Sequence, residues 1–196
     1  MSPRVIETYQ VEDGWIETNS GRQFHFKGTI DPKEIYVGDV AHALSLLCRY
    51  NGHTKRFYSV AEHSVLIARH LKTLGYDDRT ALTGLFHETA ETYIGDMARP
   101  IKVTMTPFTE LENRIEIAAA QRFGTIFPFP SIIKELDTRI LVDERAQVMN
   151  PSNNEWGTDG IARLGVVVEG WAPYRAKVEF LKAVREFAPA DHDFFE

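Results

Sequence analysis

The sequence predicts an all-α protein, a compact helical bundle with a small N-terminal β-hairpin. From residue 39 onward, apolar residues recur every three or four positions, which is the period of an amphipathic helix. Residues that typically begin and end helices flank most of these stretches. Before residue 39 the pattern changes, and two short extended stretches surround the turn sequence Asn19-Ser20-Gly21. We therefore expect a helical body preceded by a hairpin.

Length and composition are those of an ordinary globular protein. A chain of 196 residues can bury a substantial core. Its 43% hydrophobic and 26% charged residues are usual values for such proteins. We expect an N-terminal extension that carries the hairpin, residues 1–38, followed by a single globular unit, residues 39–196.

The first elements follow from turn and capping residues. Trp15–Thr18 and Arg22–Phe26 form the two extended stretches, and Gly21 between them supplies the positive φ of the turn. Asp39 is expected to cap the first helix, Val40–Arg49, whose apolar residues share one face.

Similar signals predict the remaining helices. Ser59 and Glu62 form a capping-box pattern at the start of the second helix, and glycine or proline bounds the others. A long loop is expected over residues 150–170. The predicted helices run from Ser59 to about Leu74, from Asp78 to Ile94, from Phe108 to Phe123, from Pro130 to about Met149, and from Pro173 to about Phe187.

The net charge and the cysteine content limit which partners and which cellular compartment fit the sequence. The net charge of -6 argues against long nucleic acid, because duplex binding needs an extended basic surface. A small anionic substrate remains compatible with this charge, since local cations and a metal can dominate the potential in a pocket. Cys48 is the only cysteine, which excludes an intramolecular disulfide and favours a reducing compartment. No apolar run reaches signal-peptide or membrane-spanning length, so we expect a cytoplasmic protein without a membrane partner.

Four side chains that can bind metal interrupt apolar helix faces. His63 lies on the second predicted helix, the pair His87–Glu88 on the third, and Asp137 on the fifth. Such groups are costly to bury unless they are paired or bound to a cation. Taken singly, His63 could be a hydrogen-bonded core residue, and Asp137 could pair with Arg139 or a neighbouring helix. Together they form a mixed nitrogen and oxygen set that suits one divalent transition ion, such as Mn, Co, Fe, Ni or Zn.

Two further acids, Glu91 and Asp96, follow the pair His87–Glu88. Glu91 lies three residues after Glu88 and four after His87, so all three share one flank of the predicted helix. From there Glu91 could reach over the metal without binding it, as a group that activates water should. It could equally lie on a solvated helix face. Asp96 follows Gly95 and could be a simple loop acid.

Two cations complement these acids. Arg49 stands at the end of the first predicted helix, and Lys102 ends the loop Arg99-Pro100-Ile101-Lys102. Phosphoryl transfer requires positive charge near the non-bridging phosphate oxygens, which these residues could supply. Ordinary surface solvation is the alternative for both.

Several stretches of the sequence resemble the HD-domain metal-dependent phosphohydrolases, and the likeness extends from about Trp15 to the last helix. The opening region resembles a more specific group within this family, the bacterial and phage-encoded 5'-deoxynucleotidases and deoxynucleoside-triphosphate hydrolases. The resemblance implies the helical bundle of an HD domain. The matching stretches are the hairpin with Ser20-Gly21-Arg22, DVAHALSLLCRYNGHTKRFYSVAEHS from Asp39 to Ser64, SVAEHSVLIA around His63, FHETAETYIGDMARPIK from Phe86 to Lys102, and KELDTRILVDE around Asp137.

The resemblance also implies roles for individual residues. The pair that names the family is His-Asp, whereas this chain has His87–Glu88, whose extra methylene moves the carboxylate outward. By this resemblance, one divalent ion would be held by His63, His87, Glu88 and Asp137. The attacking water and the leaving group would be handled by Glu91 and Asp96. Phosphate would be bound by Arg49 and Lys102, and a ribose 2'-hydroxyl would be excluded by Tyr50.

The predicted function is hydrolysis of a phosphate ester in a deoxynucleotide, a small-molecule substrate. A monophosphate would give nucleoside and phosphate, and a triphosphate could give nucleoside and triphosphate. Two alternatives stay open: a metal-poor HD domain that binds nucleotides as a regulatory module, and an enzyme that hydrolyses alarmones or cyclic dinucleotides. Proteins of this kind are often dimers or larger rings, so the resemblance also implies a homo-oligomer.

Overall fold

The computed structural model describes residues 14–190 and residue 194, and it confirms an all-α architecture with one two-stranded hairpin. None of the helices in this part of the chain combines the length and apolar character needed to cross a membrane. The elements are β1 (Trp15–Glu17), β2 (Gln23–His25), a 3-10 turn (Pro32–Glu34), α1 (Val37–Leu46), a second 3-10 turn (Arg49–Gly52), α2 (Val60–Thr73), α3 (Asp78–Phe86), α4 (Glu91–Ile94), α5 (Arg99–Lys102), α6 (Thr106–Phe123), α7 (Ser131–Val148) and α8 (Pro173–Phe187).

Helix α2 lies at the centre of the bundle, where it packs against α3 and α8. The contact with α3 is close because Gly84 has no side chain. A Cβ atom there would lie 2.5 Å from Leu71 Cδ1 and 3.2 Å from Ile67 Cγ2. This close approach brings His63, one turn before Ile67, towards His87, which follows the end of α3.

The hairpin packs against the helical body. Ile16 pairs with Phe24 across the two antiparallel strands, and Gly21 in the turn has a φ of 77°, as predicted. Phe24 is fully buried and stacks on Tyr93 of α4, with ring centroids 3.6 Å apart. The division into segments 1–38 and 39–196 stays a prediction.

The predicted cap of the first helix is wrong. Helix α1 begins at Val37, and Asp39 lies inside its first turn. The Asp39 carboxylate instead accepts hydrogen bonds from the backbone N–H of Ser20 at 2.8 Å and from its hydroxyl at 2.7 Å. Asp39 therefore ties the hairpin turn to the helix.

The third predicted helix is not continuous. It ends at Phe86, and α4 begins at Glu91 after a turn. The Thr89 hydroxyl donates to the Phe86 carbonyl at 2.6 Å, and the backbone N–H of Ala90 donates to the Glu116 carboxylate of α6 at 2.7 Å. These side chains replace helical partners, so the α-helical hydrogen bonding is interrupted at the residues that carry the candidate site.

The capping box at Ser59 is only half formed. The Ser59 hydroxyl accepts from the Glu62 backbone N–H at 3.1 Å, as predicted. The Glu62 carboxylate does not return to Ser59; it accepts hydrogen bonds from three consecutive backbone N–H groups at residues 169–171. Three amide donors satisfy a buried carboxylate better than the single N–H of a capping box. Residues 99–102, expected as a loop, form the one-turn helix α5.

Candidate metal centre

Two histidines form the inner wall of the site. His63 is fully buried, and its Nε2 atom lies 3.4 Å from Nε2 of His87. The opposite nitrogen of each ring faces an oxygen: His63 Nδ1 lies 2.7 Å from the Glu144 carboxylate, and His87 Nδ1 lies 2.8 Å from the Gly84 carbonyl. Since a carbonyl and an ionised carboxylate only accept, each Nδ1 carries a proton, and Nε2 is the nitrogen of each ring that is available to a metal ion. This is the orientation of metal-binding histidines.

Two carboxylates complete the cluster. Glu88 Oε1 lies 3.5 Å from His87 Nε2 and 3.8 Å from His63 Nε2. Asp137 Oδ1 lies 3.2 Å from His63 Nε2 and 4.0 Å from His87 Nε2. All four ligand atoms lie within 4.8 Å of one another. Ligands about 2.1 Å from a shared ion are separated by roughly 3.0–3.4 Å at angles of 90–110°. The cluster could therefore hold a metal ion.

The glutamate at position 88 reaches the cluster despite its extra methylene. The backbone at this point is a turn and not a helix, and the carboxylate oxygen approaches both imidazoles. The donor set thus keeps two nitrogens and two oxygens.

The second acid of the set is ionised at neutral pH. Burial raises the pKa of the Asp137 carboxyl, but the interactions with the nearby imidazoles of His63 and His87 outweigh this effect and hold the pKa well below its ordinary value. An ionised carboxylate is the form that binds a cation.

Glu91 stands beside the cluster in a different state. It is buried, and its Oε2 atom has no hydrogen-bond partner among the described residues. Burial, together with the charges of Glu88 and Asp96, raises the pKa of the Glu91 carboxyl well above its ordinary value. Burial beside other acids is typical of carboxyl groups that exchange protons in a reaction.

Asp96 lies on the same side of the site. Its pKa is raised by burial first, and the charge of Glu88 raises it further against the opposing charge of Arg49. The backbone N–H of Tyr50 donates to its carboxylate. Asp96 is thus held in place by the 3-10 turn that follows α1.

The two cations predicted to grip phosphate are placed differently. Arg49 is buried, with one terminal nitrogen 3.3 Å from Glu144 Oε2 and the other 3.8 Å from Glu88 Oε1. Its Nε–H group has no partner within residues 14–190. Lys102 forms an ion pair with Glu112 of α6. Arg49 therefore borders the cluster directly, whereas Lys102 is already paired.

Tyr50 adopts an uncommon backbone conformation for a residue with a side chain, with a φ of 57°. Its hydroxyl donates to Glu144, and its ring lies 5.6 Å from that of Trp156. The Tyr50 side chain is therefore held by α7 at its hydroxyl and by the loop after α7 at its ring.

Sequence reasoning missed two buried acids. Glu144 of α7 is fully buried; burial raises its pKa, but the charges of Arg49 and His63 outweigh this effect and lower it to about 2. Its position seven residues after Asp137, two turns along one helix face, could have revealed it. Glu116 of α6 is also buried and supports the turn at Ala90, but no pattern in the sequence indicates this contact.

Comparisons with known proteins give three distant relatives. No family model matches the chain. YfdR, an uncharacterised protein of Escherichia coli, is 28% identical over 142 residues, which are 72% of this chain and 76% of that protein. An uncharacterised protein of Rhodobacter capsulatus is 34% identical over 125 residues, which are 61% of this chain and 63% of that protein. A 5'-deoxynucleotidase of Photobacterium profundum is 31% identical over 101 residues, which are 50% of this chain and 41% of that protein.

Proposed function

We propose that the protein is a metal-dependent phosphohydrolase of the HD type whose substrate is a 2'-deoxynucleotide. The observation that carries the proposal is the convergence of His63, His87, Glu88 and Asp137 on one point. Two imidazoles and two carboxylates suit a divalent transition ion. The similarity to a 5'-deoxynucleotidase supports a deoxynucleoside phosphate as the substrate.

The reaction needs a group that takes a proton from the attacking water, and Glu91 fits this role. A divalent ion in the cluster would supply Lewis-acid chemistry to the phosphate and the water. The buried, unpartnered Oε2 atom of Glu91 can accept the water proton. Its pKa is raised above the ordinary value of a carboxyl group, so its ionised form is a stronger base than an exposed glutamate.

The leaving oxygen needs a proton in return, and Asp96 can supply it. Burial favours the protonated form of this acid, whose pKa lies above its ordinary value. The hydrogen bond from the Tyr50 backbone holds the carboxyl group in position. Glu91 and Asp96 would then divide the roles of base and acid.

Arg49 supplies positive charge to the phosphate oxygens. Its unpartnered Nε–H group is buried beside the cluster, where a phosphate oxygen could accept from it. A hydrogen bond of this charged kind contributes ~1.5–3 kcal/mol. Lys102 would add a second cation if its ammonium group turned from Glu112 towards the substrate.

Tyr50 is proposed to exclude a ribose 2'-hydroxyl. Its hydroxyl is held by Glu144 and its ring packs near Trp156, so the ring cannot easily move aside for a larger sugar. A rigid wall can reject a substrate that carries an additional group.

The test is a substrate screen with purified protein. Deoxynucleoside and ribonucleoside mono-, di- and triphosphates are incubated with Mn²⁺, Co²⁺, Ni²⁺ or Zn²⁺, and released phosphate, triphosphate and nucleoside are measured. We expect hydrolysis of deoxynucleotides in preference to ribonucleotides, with loss of activity after chelation and in an Asp137→Asn control. Nucleotide binding without hydrolysis would instead indicate a regulatory binding module. Hydrolysis confined to alarmones or cyclic dinucleotides would contradict the proposed substrate class.

A further inference from the structure

Glu144 is the meeting point of four hydrogen-bond donors behind the ligand cluster. Its carboxylate is fully buried on α7. Oε1 lies 2.7 Å from both His63 Nδ1 and the Tyr58 hydroxyl. Oε2 accepts from the Tyr50 hydroxyl and lies 3.3 Å from a terminal nitrogen of Arg49. One side chain thus contacts a candidate metal ligand and two of the residues proposed to contact the substrate, Arg49 and Tyr50.

The first consequence concerns the imidazole of His63. A carboxylate at Nδ1 keeps the proton on that nitrogen and leaves the Nε2 lone pair directed at Asp137 and His87. Without this acceptor the ring could rotate or adopt the other tautomer. Groups that orient a metal-binding histidine in this way commonly contribute 10- to 100-fold to metal affinity.

The second consequence concerns Arg49. Its guanidinium lies between two acids, 3.3 Å from Glu144 and 3.8 Å from Glu88. The negative charge of Glu144 offsets the attraction of Glu88. If Glu144 were neutral, Arg49 would pair more closely with Glu88 and compete with a metal ion for that carboxylate.

We propose that Glu144 is a positioning residue, which directs the His63 lone pair at the metal site and holds Arg49 away from Glu88. This inference rests on the metal site of the proposed function. Glu144 itself touches neither the ion nor the substrate.

The matched variants are Glu144→Gln and Asp143→Asn. Both replace a buried acid of α7 by its amide, but among the described residues Asp143 accepts hydrogen bonds only from the backbone of residues 164 and 165. The dissociation constant of Co²⁺ or Mn²⁺ is measured on metal-free protein, together with thermal unfolding without metal and the visible spectrum of the Co²⁺ form. We expect Glu144→Gln to weaken metal binding about 10- to 100-fold with a changed Co²⁺ spectrum. Asp143→Asn should bind metal as the wild type does.

The outcomes separate this inference from the function on which it rests. If the wild type binds an ion and Glu144→Gln binds it equally tightly, the positioning role is wrong and the metal site stands. Equal weakening in both variants would reduce Glu144 to a support of the helix. If the wild type takes up no divalent ion, the proposed function fails and the inference fails with it.

A measurement on wild-type protein covers the case in which Glu144→Gln does not fold. Nitrogen-15 NMR of labelled histidine side chains reports the tautomer of each ring, and a His63→Gln variant identifies the His63 signals. The spectra are recorded at alkaline pH, where the imidazole is neutral, and we expect the Nδ1–H tautomer for His63. The Nε2–H tautomer would overturn the inference.

Discussion

Neighbouring residues of α2 and α7 belong to two buried polar regions that are built on opposite principles. The first, which we name the loop clamp, consists of Glu62, Asp143 and Gln147 together with segment 164–171. Each of the three side chains accepts hydrogen bonds from backbone N–H groups of that segment. Each carboxylate or amide oxygen of these three side chains accepts a hydrogen bond, so the clamp fixes a long irregular loop on the helices.

In the metal centre, by contrast, acceptor atoms of the described residues face one another. His63 follows Glu62 directly, yet its Nε2 atom faces another imidazole nitrogen and the oxygens of Glu88 and Asp137. Glu91 Oε2 lacks any donor among the described residues. Acceptors crowded together and buried are stable only with a cation or protons between them. Burial alone therefore does not mark a functional acid, whereas burial among other acceptors does.

The largest expected effect is that of Glu91→Gln. The amide cannot take a proton from water, so turnover at saturating metal should fall by about 10²- to 10⁴-fold. Bound metal and thermal stability should be retained, because glutamine keeps the size of the side chain and Glu91 is not one of the four candidate ligands. The measurements are initial rates, metal content and the unfolding midpoint. Loss of the ion would make Glu91 a ligand, and unchanged turnover would remove it from the mechanism.

The smaller effect is that of Asp143→Asn in the loop clamp. The amide nitrogen would face the N–H groups of Leu164 and Gly165, and the loss of these charge-assisted hydrogen bonds should lower the free energy of unfolding by ~1–3 kcal/mol. Urea unfolding measures this change, and turnover of the folded variant should equal that of the wild type. A variant with full stability but reduced turnover would show that the two regions are not separate.

Much of the helical framework can be predicted from local signals. Helix α8 has the predicted bounds, Pro173–Phe187, because a proline begins it and its apolar face is regular. Helix α6 ends at Phe123, and the next residue, Gly124, takes the left-handed conformation expected after a helix. The break after Phe86 could not be predicted, since it depends on Glu116, a residue of another helix.

The candidate site likewise has one part that the sequence indicates and one part that it does not. The structure brings together His63, His87, Glu88 and Asp137, each of which interrupts an apolar pattern that the sequence displays. The pairing of Arg49 with Glu144 joins residues 95 positions apart and has no local signal. Sequence therefore indicates which groups are costly to bury, and only the packing of α2, α3 and α7 shows which groups offset that cost.

Metal binding by the purified chain is the most direct test of this account. Metal-free wild-type protein and an Asp137→Ala variant are titrated with Mn²⁺ or Co²⁺, and bound ion and thermal stability are recorded. We expect about one ion per wild-type chain at saturation, and a gain of ~2.7 kcal/mol in the free energy of unfolding at a hundredfold excess over Kd. The variant should show neither effect at that concentration. A wild-type protein that takes up no ion, or a variant that binds one equally tightly, would contradict the metal centre.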